Sequence, residues 1–317
     1  MSQSTAPIRP ILSLAIRPKN RADASAFQLA LTLTAAENPG LVVKWNDPAG
    51  ATICGMDEME LESLCYGIAH EYKIEIVMGE PQVIYLETIR KQADAEGKYI
   101  RQTGGAGNYG HCKLRVEPAD RGSGLQFKNE GPESRVPEVF ASGIERGVVE
   151  AAEQGILAGY SMTDLRVTVV DGSFHDQDSN ELAFQLAGAI AFKEAARRAH
   201  PVVLEPIMSV EISVPEEVSD RILEELAESV KKRRGQIETS EEKDGITSIQ
   251  ALIPLAEVLR SSALGEPAFR MRFARYEERS SGQGPEEDGP AAPILNPRLP
   301  PGRFRSARAQ RDPELDS

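Results

Sequence analysis

The stretch 103–112, TGGAGNYGHC, places Gly105, Gly107 and Gly110 in a G-x-G-x-x-G spacing. Such a string bends around a pyrophosphate when a strand precedes it and a helix follows, because the phosphate then rests on the helix N-terminus. The flanks here are different. Cys112, Leu114 and Val116 alternate with His111, Lys113, Arg115 and Glu117, the period of a half-buried strand. The preceding GKYIRQ also reads as a strand. Strand, glycine loop and strand make a hairpin, and glycine supplies the positive φ angles of its turn. No dinucleotide is expected here, nor any other cofactor.

The second chemically loaded stretch is DGSFHDQDSN, residues 171–180, with Asp171, His175, Asp176 and Asp178. Carboxylates and imidazole are metal ligands. The EF-hand spacing is missing, however, and no second histidine lies nearby in sequence. The favoured reading is a polar turn in which Asp171 and Ser173 bond local backbone. Neither a metal site nor a catalytic residue is expected. NRAD at 20–23 and DPAG at 47–50 resemble guanine-reading and magnesium-reading fragments of GTPases. No stretch matches G-x-x-x-x-G-K-[ST], which supplies the phosphate cradle. The chain is therefore expected not to hydrolyse GTP and not to be an enzyme.

Basic residues offer another chemistry. Arg101, His111, Lys113 and Arg115 surround the glycine loop, with Tyr109 inside it. Thin backbone, a stackable ring and cations suit RNA. KKRR at 231–234 is denser but ends a helix, where cations complement the dipole.

The 317 residues are enough for two or three domains. A net charge of −13 argues against general nucleic-acid stickiness, though not against a local basic surface. No apolar run has membrane-spanning length, and the N-terminus lacks a signal-peptide pattern, so a cytoplasmic protein without a membrane partner is expected. Cys54, Cys65 and Cys112 show no C-x-x-C pairing and read as core residues.

The elements that must carry these residues fall into three blocks and a tail. In residues 8–86 the order is β-α-β-β-α-β. ILSLAI opens it, a helix from Ala22 to Glu37 follows, and LVVKW pairs with ATICG. Leu61, Leu64, Ile68 and Tyr72 then mark a second helix before KIEIVMG. Residues 203–279 repeat that order, with Val218, Ile222, Leu226 and Val230 striping the first helix. In the middle block, 87–202, a helix from Pro137 to Ala158 carries Phe140, Ile144, Val148 and Ala152. A strand, DLRVTVV, precedes the polar loop. Asn180 is expected to cap a helix with Leu182, Leu186 and Ile190 inward. Residues 280–317 are rich in Pro, Gly, Ser and charge and are expected to be a disordered tail. Its cluster RFRSARAQR is an alternative RNA contact.

Long strings carry a family resemblance. EGKYIRQTGGAGNYGHCKLRVEP and GILAGYSMTDLRVTVVDGSFHDQDSNELAFQLAGAIAFKEA resemble domain IV of translation elongation factor G. ILSLAIRPKNRADASAFQLAL and TICGMDEMELESLCYGIAHEYKIEIVMGEPQVIYLETI resemble its domain III. VVLEPIMSVEISVPEE resembles the start of domain V. The resemblance implies an α+β protein: two ferredoxin-like domains flanking a ribosomal-protein-S5-domain-2-like βαβ domain. It also implies a domain IV arm that meets the messenger–transfer RNA duplex in the ribosomal decoding site during translocation. Carried over position by position, the arm tip comprises Gly105, Ala106, Gly107, Asn108, Tyr109, Gly110, His175 and Asp176, and the glycines keep the backbone thin enough to approach RNA.

The departures are specific. Ala106 stands where the family usually has arginine and Asn108 where it has glutamine, while Asp57 and Glu60 replace a usual glycine and histidine. The segment between PLAEVL and FRMRF is shorter than in the family. The GTPase domain and the β-barrel after it are missing, which reads as a separate gene product or a truncation and leaves room for a separate GTPase partner. The implied function is a ribosome-binding, non-GTPase relative acting in elongation. The alternative is a scaffold or protein-interaction protein that kept the fold and lost the ribosome.

Overall fold

The computed structural model describes residues 9–46, 50–103, 106–215, 228, 230–232, 234–243, 246–260, 269–279 and 305–307. The first unit runs β1 (Leu12–Pro18), α1 (Ala24–Glu37), β2 (Val42–Asn46), β3 (Gly50–Gly55), α2 (Glu58–Tyr72) and β4 (Ile76–Met78). Its sheet has the order β4-β1-β3-β2, antiparallel throughout, which is the ferredoxin-like arrangement. Every second residue of β1 is buried, as its alternation requires. Asp57, one of the departures from the family pattern, caps α2: its carboxylate accepts the Glu60 N–H at 3.1 Å. The inward face of α2 is Leu61, Cys65, Ile68 and Ala69, with the expected Leu64 and Tyr72 only half-buried.

The middle unit begins with two connecting strands, β5 (Gln82–Val83), paired with β1, and β6 (Leu86–Ile89). It continues with β7 (Ala93–Thr103), β8 (Ala106–Pro118), β9 (Leu125–Asn129), α3 (Glu138–Glu153), β10 (Leu165–Ser173) and α4 (Glu181–Arg198). The sheet order is β7-β8-β10-β9. Only β9 and β10 are parallel, joined through α3 as a βαβ unit. Both helices cover the face that carries Cys112, Leu114 and Val116.

The inward face of α4 differs from the expectation. Leu182 is 60% exposed and Ile190 44% exposed, while Ala183, Phe184, Ala187, Ala191, Phe192 and Ala195 are buried. The reason is close approach. Cβ atoms at Gly97 and Gly110 on the hairpin would overlap the Ala187 and Ala183 carbonyls, and one at Gly147 on α3 would overlap the Gln185 carbonyl. Backbone against backbone leaves room for alanine, not leucine.

The third unit comprises β11 (Pro201–Pro215), β12 (Gln236–Lys243), β13 (Ile246–Pro254), α5 (Leu255–Arg260) and β14 (Phe269–Glu278). The order β12-β13-β11-β14, all antiparallel, repeats the ferredoxin-like pattern. The helix expected over Val218–Val230 lies outside the described residues except for helical positions at 228 and 230–232, and the short 261–268 connection also lies outside. The last member of KKRR has an internal task. Arg234, with a left-handed φ of 57°, forks onto Glu205 at 2.9 and 3.1 Å and donates to Glu257 at 3.1 Å.

Two features join the units. β6 pairs antiparallel with the start of β11, Pro201 opposite Ile89 and Leu204 opposite Leu86, so the strands entering and leaving the middle unit lie side by side. Glu87, on β6 and fully buried, accepts four backbone N–H groups, from Ile156, Leu157, Ala158 and Tyr160, at 2.7–3.1 Å. In the expected disordered tail, the described residues form a strand, β15 (Arg305–Ala307), paired antiparallel with β4 at the edge of the first sheet. The three cysteines are free and buried. Burial pushes the Cys65 and Cys112 thiols up to about 12, and Cys54 upward as well.

Candidate functional site

β7 and β10 both run antiparallel to β8, so both deliver the chain to one end of the middle sheet. The hairpin turn and the loop after β10 meet there. Asp178 fastens them: its Oδ1 accepts the Gly107 N–H at 3.1 Å and its carbonyl accepts the Tyr109 N–H at 2.7 Å. Asn180 caps α4 by accepting the Ala183 N–H at 2.9 Å and donates from Nδ2 to Asn108 Oδ1 at 2.6 Å. The helix start is thereby tied to the tip.

The Tyr109 side chain stands on the helix-free face of the sheet. Its hydroxyl is 2.7 Å from Ser173 Oγ, which is 2.7 Å from His111 Nδ1. His111 Nε2 lies 2.9 Å from Glu96 Oε1, an ion-pair distance without hydrogen-bond alignment. Acid, imidazole and serine are the residue types of a nucleophilic triad. Here the serine hydroxyl is shared with Tyr109, so the line fixes a ring. The His175 ring abuts Tyr109 edge-on, and Lys98 Nζ sits 5.8 Å from the Tyr109 centroid.

The tip residues divide by exposure. His175 and Asp176 are exposed, and Gly107, Asn108 and Tyr109 are half-buried. Gly110 is buried against α4, which corrects its place among the RNA-facing residues: its missing Cβ serves helix packing. Ala106 opens β8 opposite Thr103, and Gly105 lies outside the described residues.

Two arginines near the tip are engaged with carboxylates. Arg115 is bidentate on Asp94 at 3.0 and 3.2 Å. Arg135 grips Asp171 at 2.7 and 2.8 Å. That guanidinium, with the Gly172 N–H, holds the Asp171 carboxyl below its ordinary range. Asp171 is therefore a structural partner, and among the described residues no three His, Cys, Asp or Glu side chains are placed to hold a metal.

Ser173, expected to bond local backbone, instead places its hydroxyl between Tyr109 and His111, and neither that link nor the Asp178 fastening was readable from spacing. A bulge between Val169 and Asp171 shifts the β10 register and brings Ser173 opposite His111. The usable signal was the parity that puts Tyr109 and His111 opposite Cys112.

Two ferredoxin-like units around a βαβ unit with a strapped two-loop tip define a three-part α+β protein. Family models match the chain in three consecutive stretches. Elongation factor G, domain III, matches residues 8–80. Elongation factor G, domain IV, matches 81–200, and the elongation factor G C-terminus matches 202–283. The chain belongs to the elongation factor G family through these domains. A crystal structure of a protein from Thermus thermophilus is similar at 34% identity and a TM-score of 0.65 over 86% of this chain. This chain spans 41% of that protein's length. Among the described residues no helix is long and apolar enough to cross a membrane.

Proposed function

We propose that this chain binds the ribosome through the tip of its middle unit and acts in translation elongation by positioning RNA, without catalysing a reaction. The observation that carries this reading is the convergence of the 106–110 and 171–178 segments into one rigid end. That end combines a held tyrosine and an exposed histidine. Tyrosine can stack on a base, and imidazole can donate to phosphate or ribose. The partners of this reading are ribosomal RNA and the messenger–transfer RNA duplex of the decoding site, in the cytoplasm. A separate GTPase would supply nucleotide hydrolysis.

A second reading, a scaffold that no longer binds ribosomes, is favoured by the net charge of −13 and by Ala106 in place of arginine. Cosedimentation of the full chain with ribosomes across a salt series separates the two. RNA binding gives pelleting that falls as salt rises. Absence of pelleting at low salt favours the scaffold. Calorimetry with GTP tests the non-GTPase part: micromolar binding by the isolated chain would refute it.

A further inference from the structure

Among the described residues, one edge of the middle sheet is left without a partner strand. β7 pairs with β8 along its whole length and with no strand on its other side. Its register against β8 has no bulge and its sequence no proline, two devices that blunt such an edge. The backbone turns outward at alternate residues. The Asp94 carbonyl accepts from Arg198 Nη1 at 3.4 Å, and Tyr109, opposite Ile100, sends its N–H to the Asp178 carbonyl and not to β7. Both mark the same parity, so Glu96, Lys98 and Ile100 present N–H and C=O groups to the open side. The helix above this edge is apolar. α4 lies over β7 and β8, with Ala187 and Ala191 against Gly97. α3 packs along its Glu181, Gln185 and Ala189 flank. Leu186 and the exposed Ile190 turn away from α3, toward the open edge.

We propose that this edge is the interface of a homodimer, in which β7 pairs antiparallel with β7 of a second copy about a two-fold axis at Gly97. Charge selects both the occupant and the register. With Gly97 opposite its own copy, Glu96 falls opposite the partner's Lys98, and Lys98 opposite the partner's Glu96. Moving the axis one residue either way sets Glu96 against Glu96 or Lys98 against Lys98. On the helix-covered side Ala95 meets the partner's Tyr99, small against large, and glycine at the axis tolerates close backbone approach. Helix spacing agrees. With strands about 4.8 Å apart, α4 stands about one strand spacing from the axis. The two α4 helices are then about 10 Å apart, an ordinary packing distance, and Leu186 and Ile190 fill the seam between them. The two four-stranded sheets become one, with the two tips at opposite ends.

Sedimentation of the full chain over a concentration series tests this. The parent should pass from monomer to dimer as its concentration rises through the micromolar range, and a parent that stays monomeric there would overturn the proposal. E96K and K98E should each weaken the dimer about tenfold, because two symmetric contacts turn from opposite to like charge. The double variant E96K with K98E should restore it. An equimolar mixture of the two single variants should do so as well, since both lysines of one chain then face both glutamates of the other. Loss in the single variants with neither rescue would overturn the pairing. I190D changes an exposed position and should weaken the dimer while leaving the circular dichroism of the chain unchanged. A dimer that K98E and I190D both leave intact forms through another surface and would overturn the proposal.

Discussion

Tyr109 and His175 meet edge to face, with ring centroids 4.1 Å apart and planes at 86°. The tyrosine is held from behind by Ser173 and His111, and the histidine stands in solvent beside it. The pair presents one stackable ring and one polar ring in a fixed relation.

If this pair is the contact, His175→Ala should weaken ribosome binding at all salt concentrations. Ala106→Arg should tighten it, mostly at low salt, because it adds a cation. A charge-assisted hydrogen bond contributes about 1.5–3 kcal/mol against about 1 for a neutral one. Cosedimentation of both variants with the parent measures this, and parental binding by both would move the contact elsewhere.

Ser173→Ala should act on the same contact indirectly. It removes the hydroxyl between Tyr109 and His111 while leaving the Tyr109 and His175 side chains themselves unchanged. We expect weaker ribosome binding with a melting temperature within a few degrees of the parent. Tyr109→Phe, which also breaks the link but keeps the ring, should behave likewise, and a variant that binds normally would show that the ring needs no holding.

Gly110→Ala and Gly97→Ala should be among the costly single changes in the chain. Each Cβ would meet the α4 backbone, which cannot rotate away as a side chain can. Overpacking of this kind costs about 1–3 kcal/mol. Gly40→Ala, with open space around it, is the control and should be near neutral. Urea denaturation decides, and a neutral Gly110→Ala would contradict the packing role.

Glu87→Ala should destabilise the root of the arm strongly. Four backbone donors lose their acceptor together, and one buried donor left unsatisfied costs about 1–3 kcal/mol. Glu87→Gln keeps one acceptor oxygen and should cost less. Hydrogen exchange at 156–160 is the local readout, and protection unchanged in Glu87→Ala would refute this.

The pH dependence follows from the cysteines and Asp171. Burial raises the Cys65 and Cys112 thiols to about 12, so the folded protein keeps them neutral while an unfolded chain ionises them in the ordinary thiol range, about 8.5. Stability should therefore fall as pH rises above that range, and the thiols should resist alkylation at neutral pH. Asp171 is depressed by Arg135, so its contribution is present above the ordinary carboxylate range and is lost as pH falls through its lowered value. Alkylation kinetics and denaturation across the range from about pH 2 to 10 test both directions. Rapid labelling of the folded protein at pH 7 would contradict the burial.

Much of this was legible because strands and caps are local. The alternation at Cys112, Leu114 and Val116 gave the hairpin, and Asn180 announced α4. The inward face of α4 was not legible. Leu182 and Ile190 outrank alanine in apolarity, but the small residues win where glycines on two neighbouring elements draw backbones together. Gly110 was misread for the same reason, since a missing Cβ does not say which side needs the space. Ser173 depended on a bulge, and β15 depended on an edge far away in sequence, and neither leaves a local pattern.

β11 is a single strand of fifteen residues whose first four pair with β6 at the root of the arm and whose remainder pairs with β13 and β14 in the third sheet. Mechanically it is a beam clamped at both ends. A sideways load on the tip is carried as torque into the centre of the third sheet, and a lengthwise pull loads the β6–β11 bonds in shear, where they must break together.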